Sequence, residues 1–160
     1  MKLNMNRKIG VAASWVNVAA VAGFALSMLV GWLNASYLTS MLIAFSFLPM
    51  MGAFAQRAEA DRRAAGYTAL GFSAVYVTLI LLVYFAQMTA VRLDALGEDA
   101  LAIINYQAYG LFFSYDLLGY GFMALATFFA GLSFQAGNKT ERWLKGLLLV
   151  HGVFFPVCLI

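Results

Sequence analysis

Asp116 is the residue whose type and position could most readily support chemistry, because it is the one carboxylate in the apolar run FFSYDLLGYG, residues 112–121. An ionisable side chain inside a membrane span is costly and usually marks a functional site or a polar contact between helices. A rise of 1.5 Å per residue, counted from Phe134, places Asp116 about 27 Å above the end of its span. We therefore expect the carboxylate in the outer part of the membrane, where water or a partner side chain is within reach.

Three side chains of the preceding apolar run fall at a similar depth. Counted from Tyr67, Tyr84 lies at about 26 Å and Gln87 at about 30 Å, with Arg92 just beyond. A long guanidinium side chain can reach back towards a carboxylate. We predict an ion pair between Asp116 and Arg92, with Tyr84 or Gln87 as a hydrogen-bond donor. Two interpretations stay open: a polar clasp between two spans, or a binding site for a solute or ion.

A second polar layer is predicted nearer the other membrane face. His151, the only histidine, lies eight residues beyond Trp143, at about 12 Å, and Asn17 has a similar depth. The histidine is interpreted either as a neutral hydrogen-bonding residue between helices or as part of a proton relay. A lone histidine is a poor zinc site, which needs three or four ligands. It also lies in a different layer from Asp116, so no Ser–His–Asp set forms.

The composition indicates that these residues belong to an integral membrane protein. Of the 160 residues, 64% are hydrophobic and 11% charged, whereas a soluble domain has about 45–50% and about 25%. No phosphate-binding glycine loop, HExxH or CxxC motif is present. We expect no enzymatic activity, no metal and no cofactor. The basic residues cluster beside the apolar runs rather than along one stripe, so no nucleic-acid partner is expected.

Five apolar runs approach the roughly 20 residues that a helix needs to cross a bilayer. The sequence therefore predicts an all-α, polytopic transmembrane bundle that forms one domain over residues 1–160. The first run exceeds the apolar length of a signal peptide and is interpreted as a retained span. A link of only three residues, 34–36, predicts a tight hairpin between the first two spans. The predicted spans are 9–33, 37–55, 67–91, 109–134 and 143–160.

A short additional helix is predicted before the fourth span. Four apolar residues there share one helical face: Leu96, Ala100, Leu101 and Ile104. Such a segment is typical of a helix that lies on the outer membrane surface.

The distribution of Lys and Arg predicts the orientation. Arg92 lies alone in one loop, and the other nine basic residues fall on the opposite side: Lys2, Arg7, Lys8, Arg57, Arg62, Arg63, Lys139, Arg142 and Lys145. Five spans then place the N-terminus inside and the C-terminus outside. The short loops and this charge bias are typical of a bacterial plasma membrane.

Small residues recur at four-residue spacing along the first span: Ala19, Gly23, Ser27 and Gly31. In membranes, helices associate through close packing, and small residues let their backbones approach. We predict that these four residues form a helix contact face, either within the fold or towards a dimer.

Two classes of function remain open from the sequence. The first is a structural or accessory membrane protein whose polar residues hold helices together, with the lipid bilayer as its surroundings. A second copy of the chain or another membrane subunit is then a candidate partner. The second class is a small-solute or proton-coupled transporter, or a subunit of one. It predicts an aqueous pocket at Asp116 that opens outward between the third, fourth and fifth spans.

Overall fold

Helices account for all the regular secondary structure in residues 4–94 and 96–160, which a computed structural model describes. The α-helices are α1 (Met5–Leu29), α2 (Leu33–Arg57), α3 (Arg63–Ala86), α4 (Glu98–Ile104), α5 (Leu111–Leu132), α6 (Lys139–His151) and α7 (Phe154–Val157). Two short 3₁₀ turns, Ala60–Arg62 and Tyr106–Ala108, precede α3 and α5. A π-helical turn, Gln87–Val91, extends α3.

Four of the described helical segments are long and apolar enough to cross a membrane. They are Met5–Leu29, Leu33–Arg57, Ala60–Val91 and Leu111–Leu132. These correspond to the first four predicted spans, with ends shifted by a few residues. The predicted all-α membrane bundle is therefore confirmed.

The fifth predicted span, 143–160, is broken rather than continuous. The 13 residues of α6 extend for about 20 Å, less than the roughly 30 Å of a hydrocarbon core. The chain turns at Gly152 before the four residues of α7. Pro156 explains the break, because it lacks the N–H that would bond to the Gly152 carbonyl and its ring would clash there. Both pieces still pack against α5.

The predicted hairpin between α1 and α2 forms, but its turn lies at residues 30–32 rather than 34–36. Gly31 has a φ of +69°, and its N–H donates to the Met28 carbonyl at 3.2 Å. The N–H of Trp32 donates to the Ser27 carbonyl at 2.9 Å. This pair of hydrogen bonds is a Schellman motif, in which glycine supplies the left-handed residue. Gly31 therefore ends the helix and does not belong to a contact face.

The face of α1 that packs on α2 differs from the predicted one at half of its positions. Gly23 and Ser27 lie against α2, whereas Ala19 and Gly31 are exposed. Steps of four residues drift by about 40° each around a helix of 3.6 residues per turn, so a strict four-residue ridge leaves the contact face. The contact extends instead to Gly10, where an added Cβ would lie 2.7 Å from the Cβ of Ala53.

The long helices pack in chain order. α2 lies between α1 and α3, α3 lies between α2 and α5, and α5 also contacts α6 and α7. Aromatic rings fill the core, with Phe47 and Tyr76 at a centroid distance of 5.2 Å and Phe72 and Phe122 at 5.7 Å. Helix α1 and the pair α6–α7 therefore lie at opposite edges of the bundle.

The bundle has two ends with different charge, here called the basic end and the acidic end. At the basic end, the Arg62 guanidinium donates to the Leu132 carbonyl at 3.2 Å and the Lys145 ammonium to the Phe134 carbonyl at 2.9 Å. These contacts satisfy carbonyls at and after the end of α5, where cations are favoured. The acidic end carries Glu98 and Asp99 at the start of α4.

Helix α4 confirms the short helix predicted before the fourth span. Its predicted apolar face is half-buried, whereas Glu98 and Asp99 are exposed. Its last turn packs over the end of α3, and this places Tyr106, two residues beyond the helix, above the start of α5.

Candidate functional site

Asp116 lies in the second turn of α5, with only 2% of its surface exposed. Its Oδ2 accepts a hydrogen bond from the Tyr106 hydroxyl at 3.3 Å. Its Oδ1 is also buried and has no hydrogen-bond partner among the described residues. The carboxyl group is therefore enclosed by protein, with one oxygen bonded and one available.

Tyrosine rings surround this carboxyl group. Tyr84 stacks at a centroid distance of 5.4 Å from Tyr37 and 5.9 Å from Tyr106, and Tyr37 and Tyr106 lie 6.1 Å apart. The side chains of Tyr84 and Tyr120 also lie near Asp116. We call Asp116, Tyr37, Tyr84, Tyr106 and Tyr120 the Asp116 cluster; it joins α2, α3 and α5 to the segment that follows α4.

Gln87 holds that segment in place. Its Nε2 donates to the Ile104 carbonyl at 2.8 Å, and its Oε1 accepts from the Tyr106 N–H at 2.9 Å. Ile104 is the last residue of α4, so its carbonyl is one that the helix itself cannot satisfy. Gln87 is 2% exposed and begins the π-helical turn. It therefore fixes the backbone position from which Tyr106 reaches Asp116.

Three members of the cluster, Tyr37, Tyr106 and Tyr120, were not identified from the sequence. Tyr106 lies just after the four apolar residues of the predicted short helix. Burial and the nearby Asp116 carboxyl raise the pKa of Tyr106 above its ordinary value, so its hydroxyl remains a donor at physiological pH. Gly110 brings this segment close to α5, because an added Cβ there would overlap the Ala102 carbonyl oxygen. Asn105 and Gly110, residue types that favour turns, lie on either side of the 3₁₀ turn and are its signal in the sequence.

The predicted ion pair between Asp116 and Arg92 is not formed. Arg92 is exposed beyond the π-helical turn, and the ion pairs among the described residues involve Arg62 alone. The reason is physical: α4 and Tyr106 cover Asp116, and a guanidinium would have to lose its water to reach it. A neutral phenol donates to the carboxyl group without that penalty.

Asp116 lines neither of two cavities found in the described part of the chain. One, of about 740 Å³, lies between α1 and α2 at the basic end. The other, of about 390 Å³, is lined by Lys139, Arg142 and Trp143. The pocket that the transporter hypothesis places at Asp116 therefore does not coincide with either cavity.

The predicted second polar layer divides into two separate contacts. Asn17 donates to the Ser46 hydroxyl at 3.0 Å and to the Ile43 carbonyl at 3.2 Å, which ties α1 to α2. His151 Nδ1 lies 2.8 Å from the Thr127 hydroxyl, which ties α6 to α5. Asn17 and His151 therefore lie at opposite edges of the bundle.

The described residues contain no group of three or more His, Cys, Asp or Glu side chains placed to hold a metal ion. The arrangement around Asp116 thus offers one buried acceptor, several phenolic donors and an amide clamp. Comparison with known protein families, with curated proteins and with solved structures gave no match to this chain.

Proposed function

We propose that the protein is a non-enzymatic structural or accessory component of a bacterial plasma membrane, in which the Asp116 cluster serves as a clasp. The observation that carries this proposal is the enclosed hydrogen bond from Tyr106 to Asp116, supported from behind by Gln87. It connects a non-spanning segment to the start of α5 at a point where three spans meet. Such a clasp suits a protein that presents a fixed outer surface to another membrane subunit or to a second copy.

The choice of residues supports a structural role. A carboxyl group accepts a hydrogen bond in either protonation state, so the contact with Tyr106 does not depend on its charge. A typical hydrogen bond contributes about 1 kcal/mol, and one to a charged group about 1.5–3 kcal/mol. Removal of one partner costs more than this, because the remaining buried group loses its water without compensation.

A double-mutant cycle tests the clasp. Asp116→Ala and Tyr106→Phe should each destabilise the protein in detergent, and the double variant should lose less than the two single losses added together. We expect a coupling energy of about 1 kcal/mol. The matched control is the cycle of Asp116→Ala with Arg92→Ala, which should be additive within about 0.5 kcal/mol. Additivity of Asp116 with Tyr106 would remove the basis of the proposal.

A proton-coupled transporter is the second candidate, and one observation favours it. Asp116 Oδ1 and Ser40 Oγ are both buried without a hydrogen-bond partner among the described residues, and Tyr120 lies near both side chains. Buried polar atoms that lack partners are often places where water or a proton enters. Purified protein in liposomes with an internal pH-sensitive dye tests this. Proton flux that Asp116→Asn abolishes, at unchanged stability, would put the transporter ahead of the clasp.

A further inference from the structure

A groove of about 740 Å³ lies between α1 and α2 at the basic end. Arg7 and Arg57 line it, together with Trp15, Val18 and Phe54. Its volume is within the range of about 300–1,000 Å³ that is usual for small-molecule sites. The groove is unrelated to the Asp116 cluster, which lies at the other end of the bundle.

Gly10 of α1 and Ala53 of α2 line the groove at a point where the two helices pack closely. An added Cβ on Gly10 would lie 2.7 Å from the Cβ of Ala53, so only glycine permits this approach. The Ser14 hydroxyl, which also lines the groove, donates to the Gly10 carbonyl at 2.8 Å. This polar group is thereby satisfied within α1, and the deeper wall offers mainly apolar contacts.

The mouth of the groove is positively charged. No acidic residue lines it, and neither Arg7 nor Arg57 forms an ion pair in the part of the chain that the structure describes. Two exposed guanidinium groups without acidic partners favour a phosphate, which arginine binds through paired N–H groups.

The length of the groove matches one leaflet of a bilayer. Val18 is eleven residues from Arg7, which corresponds to about 16 Å along α1. One leaflet contributes half of the roughly 30 Å hydrocarbon core. The lining changes over this distance from the cationic Arg7 to the apolar Val11, Trp15 and Val18. A charged group followed by apolar side chains matches the order of a phospholipid's headgroup phosphate and its acyl chains.

We propose that this groove is a binding site for an anionic phospholipid of the leaflet at the basic end. Arg7 and Arg57 bind the headgroup phosphate, and the acyl chain lies along Val18 and Phe54 beside Trp15. A second copy of the chain fits the groove less well, because a symmetric contact through this face would bring the arginines of both copies together. Basic grooves between helices at this membrane face are suited to anionic headgroups.

Native mass spectrometry of the full chain in neutral detergent tests the site. Phosphatidylglycerol and phosphatidylcholine with identical acyl chains are added in equal amounts, and the retained lipid is measured. The wild type should retain phosphatidylglycerol preferentially. Each arginine contributes about fivefold, so the double variant Arg7→Gln/Arg57→Gln should bind it about 25-fold more weakly. Arg63→Gln, an exposed charge at the same end that does not line the groove, is the matched control.

Additional measurements distinguish a bound phospholipid from general surface charge, free phosphate or a second copy of the chain in the groove. A Val18→Asn variant should weaken retention of both lipids, because it places an amide where the acyl chain lies. Equal retention of the two lipids by the wild type, or an equal loss with Arg63→Gln, would overturn the proposal in favour of general surface charge. Displacement of the lipid by soluble glycerol phosphate at equal concentration would show a site for free phosphate instead. Dimers that disappear in Arg7→Gln/Arg57→Gln would show that a second copy occupies the groove.

Discussion

Replacement of Gln87 by leucine should release the segment that carries Tyr106. The side chain is 2% exposed and joins two backbone groups, the Ile104 carbonyl at 2.8 Å and the Tyr106 N–H at 2.9 Å. Leucine occupies a similar volume but can form neither hydrogen bond. The variant therefore removes the amide clamp and leaves the surrounding packing in place.

The expected loss follows from those two hydrogen bonds. Each contributes about 1 kcal/mol net, and a buried group left without a partner adds about 1–3 kcal/mol. Ile104 and Tyr106 are half-buried, so water can partly replace the amide and the lower part of that range applies. We expect Gln87→Leu to lower the free energy of unfolding by about 2–4 kcal/mol, with the largest local effect at Tyr106.

Unfolding in mixed detergent micelles measures the overall loss, and hydrogen exchange of the Tyr106 amide measures the local one. Gln107→Leu is the matched control, because Gln107 is exposed and its side chain makes one long contact, of 3.4 Å, to the Tyr37 hydroxyl. The control should change stability by less than about 0.5 kcal/mol. If both variants lose the same stability and Tyr106 exchange is unchanged in Gln87→Leu, the amide clamp does not hold the segment.

Two further predictions concern helix packing and orientation. Gly10→Ala should destabilise the α1–α2 pair, because its Cβ would lie 2.7 Å from that of Ala53. Gly52→Ala, which has open space around it, should stabilise α2 by about 0.5–1 kcal/mol. Chemical unfolding of both variants checks the opposite signs, and equal effects would contradict the contact. A reporter fused at residue 60 should indicate the cytoplasm and one fused at residue 97 the outside, and the reverse result would contradict the orientation that the charge distribution predicts.

Features that depend only on the length and spacing of residues along the chain could be predicted from the sequence. The length of apolar runs located the four long helices, and helical periodicity located α4 with the correct half-buried face. Counting residues along a helix placed Asp116, Tyr84 and Gln87 at a similar depth. The structure places all three at the acidic end of the bundle, although Gln87 acts on the backbone at Tyr106 rather than on Asp116 itself.

The remaining features depend on directions around the helix axis and on folded loops. Depth alone paired His151 with Asn17, but the two side chains lie at opposite edges of the bundle. A depth count also favoured Arg92 as the partner of Asp116, because it contained no information about the loop that folds back over α5. Tyr106 lies ten residues before Asp116 and reaches it because the 3₁₀ turn and the left-handed Tyr109 turn the chain back towards α5.

The two ends of the bundle satisfy their helix carbonyls by different means, and the charge distribution explains the difference. At the basic end, Arg62 and Lys145 donate to carbonyls at and beyond the end of α5. At the acidic end the sequence supplies a single basic residue, Arg92, and it is exposed. The helices that end there must therefore use uncharged devices.

Those devices are the Gly31 turn at the end of α1 and the Gln87 amide at the end of α4. The neutral hydroxyl of Tyr106 also suits an end of the bundle that has few basic residues. Lys and Arg residues concentrate at the basic end, as the predicted orientation requires, and leave few cations at the acidic end. The uncharged clasp at Asp116 is thus consistent with the orientation that the charge distribution predicts. It follows that an added lysine at the acidic end would have to compete with that orientation before it could strengthen the clasp.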